Sequence, residues 1–486
     1  MRRTAAALGL LALALAAAPA AALERVRGVV HVHSDLSTGD FPLEGLVGLA
    51  DQQGIGVLLL SENFLARVDY SLPPFRALTR VSRGERAVGQ DPARYLARVA
   101  EVKARLPHVL LIPGVEVVPH YHWTGSPFAL DMTVHDVQKN LLVFGLADPA
   151  ALAALPVIGN APGGVYTLQS LLDALPVLLL LPGVVLLARR RAVRKRLGRG
   201  AVVVVRRRAW GPGLVLCGLG AVALVRGWPF TNDGVAPARE SGAAPYQALI
   251  DYVDRTGGVT MWSLPEARDI GEQSVGPVRV GWLTEPYADD LLRTFRYTGF
   301  GAVYEDTSTF EQPGGGWDRL LGEYVRGERS RPAWALAESA FHGLTAGKQV
   351  GPIQTVFLVA DKSEAGVLDA FRKGRMYAVQ RTREVGFDLT EFSAAAGGVT
   401  AGMGETLQAP AGTPIEVRVA VEASDGGTHD VRVTLVRNGR LEALERGATP
   451  FRTIRREVAD GTPLVLRVEA RGAKQRVLSN PIFVKP

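Results

Sequence analysis

The sequence predicts an α/β protein with a parallel barrel or open sheet, interrupted once by a membrane-type helical hairpin and followed by a β-sandwich-like tail. Three observations carry this. Short apolar runs alternate with amphipathic helical patterns over residues 26–146 and again over 246–380. Two long apolar stretches, 171–188 and 209–225, bracket a strongly basic run. Beyond residue 384 the pattern changes to period two, with turn residues between the runs.

The elements follow in order. Met1-Arg2-Arg3, an apolar stretch over 5–18 and Pro19-Ala20-Ala21-Ala22 form a secretory signal over 1–22, cleaved after Ala22 or kept as an anchor helix. The first barrel segment, 23–168, offers strands at 26–32, 55–61, 109–112 and 140–146. Its helices fall at 43–53 and 92–105, the latter with Pro92 at its start. The hairpin occupies 169–227. A second barrel segment, 228–382, resumes with helices at 246–255, 288–297, 317–326 and 364–373. Strands lie between them at 259–263, 301–304, 333–337 and 376–380. The tail, 383–486, has alternating runs at 415–421, 431–436, 464–468 and 477–484.

The chain has 486 residues and a net charge of +7, but the basicity is local. Residues 189–208 hold ten Lys/Arg and no acid; without them 45 basic residues face 48 acidic ones. A basic run between two apolar spans reads as a cytoplasmic loop, by the preference of positive charge for that side. The barrel and tail then lie on the extracytoplasmic side of an inner membrane, with Trp210 and Trp228 at the interfaces and lipid around two spanning helices. No nucleic-acid partner is expected. The single cysteine, Cys217, excludes a disulfide framework within the chain and a thiolate metal cluster.

The chemistry-bearing stretch is Val29-Val30-His31-Val32-His33-Ser34-Asp35. Residues i and i+2 of a strand share a face, so His31 and His33 present two imidazoles together at a strand end. Ligands gather at the carboxyl ends of strands in parallel α/β barrels. The polar residues at those ends are Glu62 and Asn63 after the second strand and Glu116 after the third. Glu338 and His342 come near the end of the alternation. His120, His122 and His135 form a weaker candidate set.

These motifs resemble the PHP (polymerase and histidinol phosphatase) domain family. The likeness rests on HVHS at 31–34, Ser37-Thr38-Gly39, Ser61-Glu62-Asn63, Gly114-Val115-Glu116, Ser263-Leu264-Pro265 and Ala340-Phe341-His342, in that order. Residues 370–377, 433–439 and 479–484 are similar to the carbaryl-hydrolase-like branch with its C-terminal β domain. The resemblance implies a distorted seven-stranded α/β barrel that holds up to three divalent metals and hydrolyses phosphoesters or related bonds. His31, His33 and Glu116 match its ligands, His342 matches its final histidine, and Glu62 stands where an aspartate is usual. Thr38, Asn63, Leu264 and Ala340 replace ligands of the pattern, as do Gln138 and Asn140 before the fourth strand. Glu338 is placed to substitute for the aspartate lost at Ala340.

The expectation is therefore one zinc, manganese or iron ion rather than three, on His31, His33 and Glu116 with Glu62, Glu338 or His342. Glu62 would bridge or act as general base, and His342 would stand beside it in catalysis. The substrate would be a phosphoester or another small ester. The alternative is a catalytically degenerate barrel that binds, senses or scaffolds at the membrane.

Overall fold

The computed structural model describes residues 23–72, 75–85, 87–198, 200–208, 210–231, 239–306 and 308–486. The expected signal, 1–22, lies outside the described residues.

The chain opens with β1 (Glu24–Val32) and α1 (Leu43–Gln52), whose stripe Leu43, Leu46, Val47 and Ala50 faces the core. β2 (Val57–Leu60) is buried at every position and continues, after Ser61, as β3 (Glu62–Asn63). β4 (Arg67–Tyr70) and β5 (Val81–Gly84) pair as a ribbon with α2 (Arg76–Thr79) between them. α3 (Pro92–Arg105) starts at Asp91, whose side chain accepts the Arg94 N–H, with Pro92 in the first turn. β6 (Leu110–Ile112) and β7 (Gly114–Val117) repeat the broken-strand arrangement of β2 and β3. β8 (His122–Ser126), β9 (Asp131–His135), β10 (Leu141–Phe144) and α4 (Pro149–Ala153) follow.

α5 (Leu168–Ala174) passes through a 3₁₀ turn into α6 (Leu180–Ala188), and α7 (Trp210–Gly227) returns against them. The stretches Leu168–Ala188 and Trp210–Gly227 are long and apolar enough to cross a membrane, with mean hydropathies of 2.4 and 1.4. They touch through small residues. A Cβ on Gly183 would lie 2.7 Å from Cys217 Sγ, and one on Gly220 would lie 2.8 Å from Leu180 Cγ. The basic run between the helices is not a loop. It forms the antiparallel ribbon β11 (Arg190–Leu197) and β12 (Ala201–Arg208). Consecutive valines at 202–204 supply the β-branched residues that favour a strand.

The second half contains α8 (Ala244–Arg255), β13 (Val259–Trp262), β14 (Asp269–Val275), β15 (Val278–Thr284), α9 (Ala288–Arg293), β16 (Gly299–Val303), α10 (Gly316–Val325), β17 (Trp334–Ala337), β18 (Ile353–Val359), α11 (Glu364–Lys373) and β19 (Met376–Gln380). Two sheets organise both halves. One contains β19-β18-β1-β2-β6, and the other runs β17-β16-β13-β10-β7-β3. They are joined twice. β2 pairs with β6 in the first sheet, while their continuations β3 and β7 pair in the second, both in parallel. On the opposite side, residues 339–341 run beside the end of β1. Ser339 N–H donates to Val30 O (3.0 Å), Phe341 N–H to His31 O (2.9 Å), and His33 N–H to Phe341 O (2.9 Å).

The all-parallel expectation fails at the fourth strand: β10 runs antiparallel to both β7 and β13. A strand buried at all four positions shows no alternation that would orient it in the sequence. A four-stranded sheet, β14-β15-β9-β8, is a further element that periodicity did not reveal. β14 is largely exposed and polar, so it lacks the apolar run that marks a buried strand.

The tail comprises β20 (Phe387–Ala396), β21 (Val399–Ala401), β22 (Thr406–Gln408), β23 (Pro414–Ala423), β24 (Asp430–Arg437), β25 (Arg440–Ala448), β26 (Phe451–Val458), β27 (Leu464–Arg471), β28 (Arg476–Ser479) and β29 (Ile482–Lys485). One sheet runs β21-β20-β23-β26. The remaining strands extend the first sheet, because β28 pairs antiparallel with β19. The apolar faces of both share a core that also takes in Val356, Tyr377 and Val379.

Candidate metal centre

The sheet junctions place the chemistry. β1 is irregular between Val30 and Val32, and His31 there adopts a left-handed φ of 69°. A non-glycine residue at such a φ is held by its surroundings. Here the hydrogen bonds to residues 339–341 hold it. They also set His342 beside His33, with the two rings stacked 3.9 Å apart. Nitrogens of His31, His33 and His342 all lie within 4.8 Å of one another. Glu116, from β7, completes the cluster: its Oε1 is 3.3 Å from His31 Nε2 and its Oε2 is 3.6 Å from His33 Nε2.

His31, Glu116 and His342 are oriented by residues outside the cluster. His31 Nδ1 donates to Glu338 Oε1 (2.6 Å), leaving Nε2 to face the cluster. Glu338 also accepts from Ser263 Oγ (2.5 Å) and the Leu264 N–H (2.9 Å). A carboxylate behind a ligating imidazole fixes its tautomer and raises its basicity. The carboxylate fits only because residue 301 is glycine; a Cβ there would lie 1.9 Å from Glu338 Oε2. Glu116 accepts from Asn63 Nδ2 (2.8 Å) and Asn140 Nδ2 (2.5 Å). Thr38 Oγ1 donates to Asn63 Oδ1 (2.7 Å) and is 3.0 Å from His342 Nδ1. With that hydroxyl proton committed to Asn63, His342 donates through Nδ1 and keeps its Nε2 lone pair. Three residues that depart from the sequence pattern, Thr38, Asn63 and Asn140, thus form one hydrogen-bonded network around Glu116 and His342.

Burial opposes charge on His31, but Glu116 and Glu338 outweigh it and raise its pKa to about 9. Burial likewise opposes ionisation of Glu116, yet His31, His33 and His342 bring its pKa down to about 2. Burial holds His33 and His342 below the ordinary histidine value. At neutral pH the cluster therefore holds the Glu116 carboxylate, two neutral imidazoles and a His31 imidazolium, whose Nε2 proton a bound ion would displace. Three imidazole nitrogens and one carboxylate suit zinc, manganese or iron, so the donor set fits a single divalent ion.

Glu62 is turned toward the loop after β1. Its Oε1 accepts from the Ser34 N–H (2.9 Å) and Ser34 Oγ (2.5 Å), and its Oε2 accepts from Ser37 Oγ. Both oxygens are consumed in tying the loop after β1 to β3. Burial pushes its pKa up to about 7, with the serine hydrogen bonds opposing. Glu338 supports His31 from behind instead of joining the cluster. His120, His122 and His135 gather with one another. The His122 and His135 rings stack 4.6 Å apart across the β8–β9 pair, and the His120 ring is 6.3 Å from that of His122. His120 Nε2 donates to the Arg239 carbonyl (2.9 Å).

The cluster opens into a cavity of about 940 Å³. Thr38, Asn63, Glu116, Asn140 and His342 line it from the cluster side. The β4–β5 ribbon and the sheet containing β9 and β15 supply Val68, Tyr70, Met132, Val134, Val280 and Trp282. Sequence reasoning missed these wall residues because they belong to the elements it did not detect.

No family model matches the chain, and no curated protein matches it. Among solved structures, it is similar to a two-domain protein from Bacteroides vulgatus containing a predicted PHP-like metal-dependent phosphoesterase. That likeness has TM-score 0.36 and 11% identity, over 92% of this chain and 90% of that one. A protein from Bifidobacterium adolescentis assigned as a metal-dependent phosphoesterase gives TM-score 0.28 and 12% identity, over 65% and 87%. An amidohydrolase from Chromobacterium violaceum gives 0.26 and 14%, over 66% and 89%.

Proposed function

We propose that the chain is a membrane-anchored, extracytoplasmic PHP-type metal-dependent hydrolase of phosphoesters or related esters, with the seven strands β1, β2/β3, β6/β7, β10, β13, β16 and β17 forming its distorted barrel. The observation that carries this reading is the convergence of His31, His33 and His342, with nitrogens within 4.8 Å of one another, on Glu116. These four residues would hold one divalent ion. When bound, such an ion supplies Lewis acidity toward the scissile group and lowers the pKa of water. The protein's own contribution is positional. Glu338 directs His31, Thr38 sets the tautomer of His342, and Asn63 and Asn140 hold the Glu116 carboxylate. Glu62 acts by fixing the Ser34–Ser37 turn that carries the end of β1.

Anchoring is proposed through Leu168–Ala188 and Trp210–Gly227, whose apolar side chains, such as Leu171, Leu181, Leu214 and Val225, are exposed. The basic ribbon would lie on the cytoplasmic side. The test is turnover of phosphodiesters and carboxylic esters by detergent-purified protein. Saturable hydrolysis that a chelator abolishes and His31→Ala/His33→Ala eliminates is the expected result; hydrolysis unchanged in that variant would refute the mechanism.

One observation favours a second reading, a binding or scaffolding module. The Asn63 and Asn140 amides engage both oxygens of Glu116. If these hydrogen bonds withhold the carboxylate from an ion, the centre is structural. Absence of both metal and turnover would establish that reading.

A further inference from the structure

The cavity over the cluster is large, apolar on most of its walls, and neighbours a cleft beside the apolar hairpin. We infer that it takes a membrane-derived amphiphile, whose apolar chain lies against β4–β5 and the β9–β15 sheet while its polar ester group reaches Glu116 and His342. This inference rests on the hydrolase reading and adds the substrate class to it.

Three observations carry it. First, the shape of the chemistry is polarised. The end at the cluster is lined by Thr38, Asn63, Glu116, Asn140 and His342, whereas beyond it Val68, Met132, Val134, Val280 and Trp282 present apolar surface, with Arg67, Arg83, Glu85, Asp269 and Gln273 among the polar residues of the lining. A small hydrophilic ester would leave that surface wet; an apolar chain would cover it, with a gain proportional to the area removed from water. At about 940 Å³ the space accommodates far more than a phosphate or a short acyl group.

Second, only a wall containing Tyr121 and Ile158 separates the cavity from a cleft beside the hairpin. A smaller cleft of about 120 Å³ shares Tyr121 and Ile158 with it, and carries three arginines (Arg76, Arg80, Arg226) against two aspartates (Asp69, Asp173), with Trp228 at its edge. Arg226 and Trp228 stand at the end of α7, where a membrane interface would lie. Arginine and tryptophan are the residues expected beside lipid headgroups.

Third, the wall and the anchor are mechanically linked. The segment between β4 and β5 carries α2, which packs on α7, and Arg226 Nη2 donates to Arg80 O (2.6 Å). The same ribbon that lines the cavity is thereby held against the helix that would meet the bilayer. An amphiphile leaving the bilayer at that interface would meet a polar cleft with arginines in excess over aspartates, then the apolar walls that suit its chain.

The test separates this inference from the hydrolase reading by using metal-stripped protein. Binding of butyl, octyl and dodecyl phosphate, each below its micellar concentration, is measured by calorimetry on full-length protein in nanodiscs, with empty nanodiscs as blank. The expected result is a Kd that falls steeply with chain length, by up to about fourfold per added CH₂ at about 0.8 kcal/mol each. Val280→Arg, at a half-exposed wall position, should abolish the chain-length dependence. Trp282→Ala, which widens the cavity, should weaken dodecyl phosphate more than butyl phosphate. Equal affinity for all three phosphates, or a dependence that both variants keep, overturns the inference. A second arm identifies the source. Transfer of a pyrene-labelled lysophospholipid from vesicles to wild-type protein, but not to Val280→Arg, is expected; binding of soluble amphiphiles without such transfer would overturn the membrane origin. Chain-length dependence without any metal-dependent turnover would leave the cavity assignment standing and remove the hydrolase.

Discussion

At the residue scale, three of the four cluster residues, His31, Glu116 and His342, are each held by a partner outside the cluster. Glu338 is the clearest case, and Gly301 makes room for it. Gly301→Ala should displace the carboxylate and weaken metal affinity ten- to a hundredfold, the usual cost of losing such support; competition against a chromogenic chelator reads this, and unchanged affinity would refute the role. Glu62 gives a pH signature. Its pKa in the folded protein is about 7, above the ordinary carboxylate value of 4.5, so the folded state binds the proton more tightly than the unfolded chain. The associated stability is complete below pH 4.5 and is lost as pH rises through 7. At 1.36 kcal/mol per unit, the loss is roughly 3 kcal/mol. Urea unfolding of chelator-treated protein at pH 4.5 and pH 8 should show that drop in the wild type and not in Glu62→Gln. The proximity of His31 and His33 was legible in the sequence, but not its cause: regular alternation was expected, whereas the structure brings the rings together through an irregularity at His31, whose φ is left-handed. The network of Thr38, Asn63 and Asn140 was not legible, because it joins residues from three separate strand ends and depends on tertiary placement alone.

At the scale of elements, broken strands do the positioning. β2 into β3 and β6 into β7 each change sheets across one residue, and this brings Asn63 opposite Glu116. The apolar runs of these strands announced their existence and burial. Nothing in Leu141–Phe144 announced that β10 would run backwards, because a uniformly buried strand carries no directional mark. The cavity walls were hidden for the opposite reason: β14 mixes exposed polar and apolar residues and lacks a continuous run. In the hairpin, contact depends on Gly183 and Gly220. Gly183→Leu should overpack the helix pair and cost about 1–3 kcal/mol, seen as a lower Tm of the detergent-solubilised protein. An unchanged Tm would show that the two helices do not rely on that contact.

At the scale of the whole molecule, the account joins an α/β unit with a metal-type cluster, an apolar hairpin and a tail whose sheet continues that of the α/β unit through β19 and β28. The proposed orientation is testable with the chain's single cysteine removed. In a Cys217→Ser background, Arg194→Cys on the basic ribbon should react with impermeant maleimide only from the cytoplasmic face, and Arg456→Cys on the tail only from the other; the reverse pattern would invert the topology. The centre itself decides the rest. Three imidazoles and Glu116 converge, while Asn63, Asn140, Leu264 and Ala340 offer no further imidazole or carboxylate, and the proposal is one ion there. The most direct measurement is therefore metal content per chain, by elemental analysis of detergent-purified protein prepared without chelator. One equivalent of zinc, manganese or iron, lost in His31→Ala/His33→Ala, is the predicted result. No metal after each ion is added back would contradict the account and leave the cluster a structural one.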